Sequence, residues 1–269
     1  MGKETIRLAS GYEIPVLGLG TAWLHGKEGI KAITWALELG YRHFDTAYYY
    51  GNHAEIRKAV KSSGIDRSEI FLTSKIWKDN LEYEQVMKQA DKIMEQLGLD
   101  YVDLLLVHWP SDTGVPIKET LSAFEELVDK GMTRSIGVSN FRIHILEEAL
   151  DTANIPLCIN QVRYNPLRQN WAKRGHIPFC LNQGMAVTAY TPLAEGDILG
   201  NRILWEIGAE KEKSVVQVTL RWLLQKGVIA IPGSSNRQHL EENMDIFDWE
   251  LTREEMKKID NIPQIQSKS

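Results

Sequence analysis

Ionisable side chains of four types follow successive apolar runs of the sequence, and together they could move a proton. They are Asp45, Tyr48, Tyr49, Tyr50, Lys75 and His108. A lysine ammonium beside a phenol favours the phenolate and lowers the tyrosine pKa from its reference of about 10. A phenol tuned in this way can protonate a developing alkoxide, while an imidazole orients the carbonyl oxygen. The set therefore predicts protonation of an oxygen while another group delivers hydride.

The arrangement of these groups is partly predictable. An isolated buried lysine or aspartate is costly, so we expect Asp45 and Lys75 to pair with each other. Each residue alone has an ordinary explanation as a packing or surface side chain, and only their convergence at one site indicates catalysis. The spacing does not distinguish which of Tyr48, Tyr49 and Tyr50 is the acid.

Short apolar runs alternate with stretches of helical length along the chain. The runs span residues 16–20, 41–47, 70–76, 101–109, 133–140, 156–162, 185–192 and 228–234. Apolar stripes with helical spacing lie between several of them, at 30–40, 81–98, 116–131 and 214–227. Eight strand-then-helix units predict an α/β fold, the (β/α)8 TIM barrel. Active sites of such barrels lie at the C-terminal ends of the strands, where the ionisable side chains are found.

The N-terminal segment and the glycines that follow helices complete this prediction. The segment TIRLASGYEIPVLG, residues 5–18, predicts a β-hairpin that turns at Ser10-Gly11 before the first barrel strand. Glycines expected just after helices are Gly40, Gly98, Gly131 and Gly227. No linker or change in composition indicates a second domain. One barrel domain is therefore expected over residues 1–269, with a short C-terminal tail at 261–269.

Composition excludes several classes of function. The 269 residues are 43% hydrophobic and 25% charged, with a net charge of −5 and no basic stripe, so a nucleic-acid surface is not expected. No apolar run approaches the length of about 18 residues that a membrane span needs, and no secretion signal is apparent. Cys158 and Cys180 lack metal-ligand spacing, and reduced thiols are the plain interpretation. We therefore expect a cytoplasmic protein without a metal site.

Several motifs carry a resemblance to a known family. They are GLGT (18–21), GYRHFDTAYYYGN (40–52), SKIW (74–77), YVDLLLVHWP (101–110), GVSNF (137–141), NQVRYNP (160–166), AYTPL (189–193) and IPGSSNRQHLEEN (231–243). The sequence resembles the aldo-keto reductase superfamily, most of all its bacterial diketogluconate and aldehyde reductases. The resemblance implies NAD(P)H-dependent reduction of aldehydes and ketones, or the reverse oxidation of alcohols. The family motif D-T-A-x-x-Y-G-N implies Tyr50 as the acid, beside the catalytic residues Asp45, Lys75 and His108.

The same resemblance implies a coenzyme, NADPH or NADH, that lies extended across the barrel mouth without a Rossmann motif. It assigns the nicotinamide carboxamide to Ser139, Asn140 and Gln161, and the nicotinamide ring to stacking on Tyr190. The full implied set is Gly20, Thr21, Asp45, Ser139, Asn140, Gln161, Tyr190, Pro192, Leu193, Ile231, Gly233, Ser234, Arg237, His239, Glu242 and Asn243.

The motif that binds the 2′-phosphate of NADPH in relatives, I-P-K-S-x-x-x-x-R-x-x-E-N, is altered in this chain. Gly233 replaces its lysine and His239 replaces its arginine. The loss of two cations weakens the charge-assisted bonds that would hold a phosphate dianion. Arg237 lies nearby and could supply a replacement charge. We expect NADH use, alone or beside NADPH.

The implied substrate pocket is rich in aromatic residues. Its members are Trp23, Tyr49, Trp77, His108 and Trp109. They suit aromatic aldehydes, α-dicarbonyls and keto sugars alike. Relatives carry a longer tail over the mouth, so the short tail predicts an open pocket and broad substrate use, in a protein expected to be a monomer.

Two other functions use the same residues differently. A non-catalytic accessory barrel would bind the coenzyme and report redox state, and it would combine tight coenzyme binding with slow turnover. A metal-dependent hydrolase would use Asp45 and His108, although such a site needs more histidine and carboxylate ligands at the strand ends. Loss of activity on chelation would favour the hydrolase.

Overall fold

A short hairpin precedes a barrel of parallel strands. The computed structural model describes residues 4–265. The hairpin strands are β1 (Thr5–Arg7) and β2 (Glu13–Pro15), which pair antiparallel. The barrel strands are β3 (Leu19–Gly20), β4 (His43–Asp45), β5 (Phe71–Ile76), β6 (Leu104–Val107), β7 (Ile136–Ser139), β8 (Leu157–Arg163), β9 (Ala186–Tyr190) and β10 (Val228–Ala230). Neighbours in the chain are neighbours in the sheet, and every predicted apolar run contains a strand.

The sheet closes on itself between its first and last strands. Leu17, just before β3, forms a parallel bridge with Ala230 of β10. Gly18 N donates to Ala230 O at 2.9 Å, and Ala230 N donates to Val16 O at 2.9 Å. These bonds satisfy the backbone groups that would otherwise form two sheet edges. The predicted (β/α)8 barrel with an N-terminal hairpin is confirmed.

The hairpin fills one end of the barrel. Leu8 and Ile14 share a buried apolar cluster with Phe71, Leu104, Leu106, Cys158, Ile159, Ala186 and Ile229. Three of these, Phe71, Leu104 and Ala186, are the first residues of their strands. The hairpin therefore covers the N-terminal end of the strands, and the C-terminal end is left for a site.

Helices surround the strands and bury their apolar faces against them. They are α1 (Gly26–Glu38), α2 (His53–Ser63), α3 (Tyr83–Leu97), α4 (Ile117–Asp129), α5 (Ile143–Thr152), α6 (Asn170–Lys173), α7 (His176–Asn182), α8 (Arg202–Lys211), α9 (Val215–Gln225), α10 (Arg237–Met244) and α11 (Arg253–Asp260). The four predicted stripes correspond to α1, α3, α4 and α9. The glycines predicted to follow them have positive φ: Gly40 (97°), Gly98 (63°), Gly131 (70°) and Gly227 (70°).

Helices with few buried residues are harder to predict from the sequence. In α10, Leu240 and Asn243 alone are buried, which is too little for an apolar stripe. No α-helix within residues 4–265 has both the length and the hydropathy needed to cross a bilayer. Of the predicted tail 261–269, residues 266–269 lie outside the described part of the chain.

A backbone irregularity at Gly137 directs the end of β7. The pairing of β7 with β8 shifts register between Ile136 and Val138. A Cβ atom on Gly137 would lie 2.6 Å from the backbone oxygen of Ile159, so a larger residue cannot enter without moving one of the two strands. Such irregularities re-aim the side chains that follow them, here Ser139 at the barrel mouth.

We expect Gly137→Ala to lower the free energy of unfolding by about 1–3 kcal/mol, because the added methyl group overpacks two strands. Urea unfolding followed by circular dichroism measures this change. The matched control is Gly200→Ala, since a Cβ atom at Gly200 would meet no atom within 4 Å. Equal stability of the two variants would contradict the close approach at Gly137.

Candidate active site

A buried ion pair lies at the C-terminal end of the barrel. Lys75 of β5 is fully buried, and its Nζ pairs with Asp45 Oδ1 at the end of β4. The same Nζ donates to Thr46 O at 2.8 Å. Gln161 Nε2 of β8 donates to Asp45 Oδ2 at 2.7 Å. Each charge thus has an opposite charge and a further hydrogen bond, as burial of an ion pair requires.

Tyr50 lies beside this pair. It ends a 3₁₀ turn, Tyr48–Tyr50, directly after β4, and Lys75 Nζ is 5.1 Å from the centroid of its ring. Burial raises the pKa of Tyr50, and the charge and hydrogen bond of Lys75 offset this effect only in part. The sequence predicts the sign of the Lys75 effect correctly, but the predicted net lowering is wrong because desolvation is larger. The phenol therefore keeps its proton at neutral pH.

The other two tyrosines point to different surroundings. Tyr48 packs against the core, with its ring 6.4 Å from that of His53. Tyr49 is 63% exposed and stacks on Trp77 at a centroid distance of 4.0 Å and an interplanar angle of 16°. Tyr50 is the one of the three whose ring lies next to Lys75 and, at 5.7 Å, next to His108. The 3₁₀ turn therefore distinguishes the three tyrosines, which their spacing in the sequence does not.

His108 follows β6 as a buried neutral imidazole. Burial and the charge of Lys75 lower its pKa to about 3. Its ring stands edge-on to Tyr50 and, at 5.0 Å, to Trp77. Its Nδ1 has no hydrogen-bond partner among the described residues. The ring can therefore act as a neutral hydrogen-bonding group beside the phenol.

The four residues predicted to hold a nicotinamide form one hydrogen-bonded chain. Ser139 Oγ donates to Gln161 O at 2.9 Å, and Asn140 Nδ2 donates to Ser139 Oγ at 3.0 Å. Tyr190 OH donates to Asn140 Oδ1 at 2.9 Å, which fixes the plane of a half-buried ring. Burial raises the pKa of Tyr190 to about 12. Asn140 has φ of 65°, a strained value of the kind that clusters at functional sites.

Thr21, just after β3, contacts Asp45, and the segment after β10 contacts the end of β3. Thr21 Oγ1 donates to Asp45 O at 2.9 Å, and Gly20 N donates to Pro232 O at 3.1 Å. A Cβ atom on Gly233 would lie 2.9 Å from Gly20 O, so the two segments are in close contact. Ile231 is buried between the strand and this contact.

A loop with unusual backbone follows β9. It contains Pro192 and Leu193 and continues as a 3₁₀ segment, Ala194–Gly200. Ala194 and Glu195 have φ of 51° and 58°. Arg163, the last residue of β8, pairs with Glu195 at 2.7 Å and ties the loop to the barrel.

The remaining predicted coenzyme residues lie at α10. Ser234, Arg237, His239 and Glu242 are exposed or half-buried, whereas Asn243 is only 2% exposed. Asn243 Oδ1 has no hydrogen-bond partner among the described residues, although the side chain bonds to Tyr41. The structure therefore separates Asn243, beneath the helix, from its exposed neighbours.

The predicted aromatic pocket is only partly assembled. Trp77 contacts both Tyr49 and His108, and Trp109, which follows His108 in the chain, is 40% exposed. Trp23 is 91% exposed and makes no ring contact among the described residues. The structure therefore brings Trp77, Tyr49 and His108 together and leaves Trp23 outside the cluster.

His53 is a buried residue near the site that sequence reasoning treats only as the start of a helix. It begins α2, and its Nε2 lies 3.2 Å from Ser74 Oγ, next to Lys75 in the chain. Its Nδ1 lies 2.9 Å from Gln96 Oε1 in α3. The imidazole therefore connects the segment after Tyr50 to the strand that carries Lys75. Its place directly after the YGN motif is the signal that could have drawn attention to it.

Comparison with known proteins establishes the family. The sequence profile of the Aldo/keto reductase family matches residues 16–264. The chain belongs to this family. It is 42% identical to the glyoxal reductase of Bacillus subtilis (strain 168), over 96% of this chain and 92% of that protein.

Solved structures agree with this assignment. The chain is similar to an aldo/keto reductase from Brucella melitensis, with 38% identity, a TM-score of 0.90, and coverage of 96% of this chain and 99% of that chain. It is also similar to the aldose reductase of Schistosoma japonicum, with 34% identity, a TM-score of 0.92, and coverage of 98% and 94%. The predicted resemblance is confirmed. The protein is an oxidoreductase of a family that reduces small carbonyl compounds with nicotinamide coenzymes.

Two buried histidines near the Lys75–Asp45 pair should make the free energy of unfolding depend on pH. Burial lowers the pKa of His43 to about 4 and that of His108 to about 3, from 6.5 in an unfolded chain. Between about pH 6.5 and 4 the unfolded chain therefore binds protons that the folded chain does not. We expect the free energy of unfolding to fall with falling pH, by up to about 1.4 kcal/mol per pH unit for each histidine.

Urea unfolding between pH 7 and 4 tests this expectation. His43→Gln should reduce the dependence of the free energy of unfolding on pH by the contribution of one histidine. The control is His144→Gln, which replaces an exposed histidine and should leave that dependence as it is in the wild type. A His43→Gln slope equal to that of the wild type would show that His43 does not stay neutral in the folded protein.

Proposed function

We propose that the protein reduces aldehydes and ketones to alcohols, with Tyr50 as the general acid and Lys75, Asp45 and His108 as its partners. The observation that carries this proposal is the buried Lys75–Asp45 pair, with the Tyr50 ring beside Lys75 and the His108 ring 5.7 Å from that of Tyr50. General acid catalysis needs a proton donor held within reach of the reacting oxygen, and these contacts supply one.

Each residue has a separate role in the proposed reaction. When bound, the coenzyme supplies a hydride from C4 of its nicotinamide to the carbonyl carbon. Tyr50 donates its phenolic proton to the carbonyl oxygen, so that a hydride on carbon and a proton on oxygen together complete the alcohol. The charge of Lys75 stabilises the phenolate that remains until it is reprotonated. His108, which is neutral, donates a hydrogen bond that orients the oxygen.

The coenzyme is proposed to lie across the mouth from Tyr190 to α10. The half-buried Tyr190 ring, fixed by its bond to Asn140, offers a flat face for the nicotinamide. Ser139, Asn140 and Gln161 carry amide and hydroxyl groups suited to the carboxamide. The strained backbone of Asn140 supports this assignment, because such strain persists where a side chain must be aimed.

The substrate class is proposed from the mouth of the site and from the relatives. Trp77 and Tyr49 form a stacked pair next to His108, an apolar wall suited to flat carbonyl compounds. A similar protein is named glyoxal reductase. We therefore propose α-dicarbonyls and aromatic aldehydes as substrates, with keto sugars as a further class to test.

Tyr50→Phe should lower kcat by about 10²- to 10⁴-fold, because it removes the transferred proton and little else. Coenzyme affinity should stay within about twofold, since the change acts on the transition state. Steady-state reduction of methylglyoxal and 4-nitrobenzaldehyde, with calorimetric titration of the coenzyme, measures both quantities.

The neighbouring tyrosines supply matched controls for this experiment. Tyr48→Phe removes the same atom from a position that does not face Lys75, and it should turn over at nearly the wild-type rate. Tyr49→Phe removes it from the proposed substrate wall, so its effect should fall on KM rather than on kcat. Near wild-type turnover in Tyr50→Phe would refute the assignment. Tight coenzyme binding by the wild type without turnover of any carbonyl would instead favour the accessory barrel.

A further inference from the structure

A group of buried polar side chains lies behind Tyr50 and Lys75, where the barrel meets the helices. Asn52 and Ser74 are fully buried, and His53 is 1% exposed. None of the three is among the groups proposed to act on the carbonyl. They bear on the reaction only through Tyr50 and Lys75, so what we infer about them rests on the proposed function.

β5 extends beyond its neighbour β4 at the mouth of the barrel. The last residue of β4, Asp45, pairs with Thr73, so residues 74–76 of β5 lie past the end of β4. On the other side the same residues pair with β6. The position of Lys75 relative to the turn that carries Tyr50 therefore depends on side-chain contacts and not on the pairing of β4 with β5.

The side chain of Ser74 makes one of these contacts. Successive side chains of a strand point to opposite faces, so Lys75 points into the barrel and Ser74 points outward to the helices. There the Oγ of Ser74 lies 3.2 Å from Nε2 of His53, the first residue of α2. This contact joins the strand segment of Lys75 to the helix that begins three residues after Tyr50.

His53 makes hydrogen bonds at both ring nitrogens. Its Nδ1 donates to Gln96 Oε1 of α3 at 2.9 Å, which leaves Nε2 to accept the hydroxyl proton of Ser74. Burial lowers the pKa of His53, so the ring stays neutral and keeps this arrangement at neutral pH. Gln96 is exposed, so water can take the place of its amide.

Asn52 fixes the same segment on its other side. Its Oδ1 accepts from Thr46 Oγ1 at 2.8 Å, and the backbone oxygen of Thr46 accepts from Lys75 Nζ at 2.8 Å. The chain after Tyr50 is thus attached at two points. Asn52 attaches it to the segment that follows β4, and His53 attaches it to β5.

We infer that His53 is a positioning residue for the proposed proton transfer. Through Ser74 it holds the strand segment of Lys75 at a fixed distance from the turn that carries Tyr50. His53 acts from behind the acid and exchanges no proton with substrate or coenzyme. It therefore affects the rate of the chemical step and not the binding of either ligand, because a small displacement of the acid weakens catalysis strongly.

Two substitutions that remove the contact between His53 and Ser74 test this role. His53→Asn keeps a polar group within reach of Gln96 but lacks the atom that meets Ser74, and Ser74→Ala removes the partner. Each should slow the chemical step by about 10- to 100-fold, as a displacement of about 1 Å would. KM and the Kd of the coenzyme should stay within about twofold of the wild type. Single-turnover reduction of 4-nitrobenzaldehyde by the full-length protein loaded with NADPH or NADH measures the step, since product release can conceal it in kcat.

Three further variants separate positioning from packing. His53→Gln places an amide near the position of Nε2, gives Ser74 a partner again, and should recover most of the rate. The double variant His53→Asn with Ser74→Ala should be no slower than the slower single variant, because both changes remove the same contact. Gln96→Ala is the matched control, since it removes the other partner of His53 at an exposed position and should leave the chemical step unchanged.

The possible outcomes lead to different conclusions once circular dichroism has shown which variants are folded. Rates close to that of the wild type in both His53→Asn and Ser74→Ala would overturn the inference. An equal loss in His53→Gln or in Gln96→Ala would also overturn it, because the packing of α2 would then be the cause. If His53→Asn does not fold, Ser74→Ala, which removes one oxygen atom, decides alone. Wild-type turnover in Tyr50→Phe would instead refute the proposed function, whichever result the His53 variants give.

Discussion

The buried pair between Lys75 and Asp45 is the interaction on which the site depends. Two charges taken out of water lose several kcal/mol of hydration each, and their attraction offsets that loss only when the remaining donors and acceptors are satisfied. Thr46 O and the Gln161 amide meet this requirement at 2.8 and 2.7 Å. Three strands must therefore end in register around one point, so the pair constrains the geometry of the barrel as well as its chemistry.

Close backbone contacts then set the positions of the groups around the pair. Gly137 lets β7 approach β8 where the register shifts, and Gly20 meets Gly233 where the barrel closes. Gly137 lies two residues before Ser139, and Gly20 and Gly233 themselves belong to the proposed coenzyme site. The geometry of the proposed coenzyme site is thus linked to how neighbouring strands pack.

The sequence is sufficient for the fold and for the types of residue at the mouth, because an apolar run marks each barrel strand and Asp45, Lys75, His108 and Ser139 lie at or next to the ends of four of them. It did not distinguish the tyrosines, because a 3₁₀ turn sends three consecutive rings in different directions. It misjudged the net pKa of Tyr50, because the cost of burial cannot be read from neighbours in the chain. Arg237 of α10 also pairs with Glu38 of α1 at 3.0 Å, and the sequence does not predict this pair, since only the closed barrel brings residues 199 positions apart into contact.

Burial around the ion pair also explains why the histidines near Lys75 stay neutral. Asp45 and Tyr50 raise the pKa of Lys75 although burial alone would lower it, so the lysine remains a cation. Burial, with a smaller contribution from that cation, lowers the pKa of His43, His53 and His108. A neutral imidazole has one donor and one acceptor, and at His53 the acceptor Gln96 Oε1 requires the proton on Nδ1. Because a second positive charge beside Lys75 is unfavourable, these tautomers persist over the neutral pH range. Burial thus keeps the three imidazoles neutral, with the charge of Lys75 acting in the same direction, and the phenol of Tyr50 stays protonated beside His108.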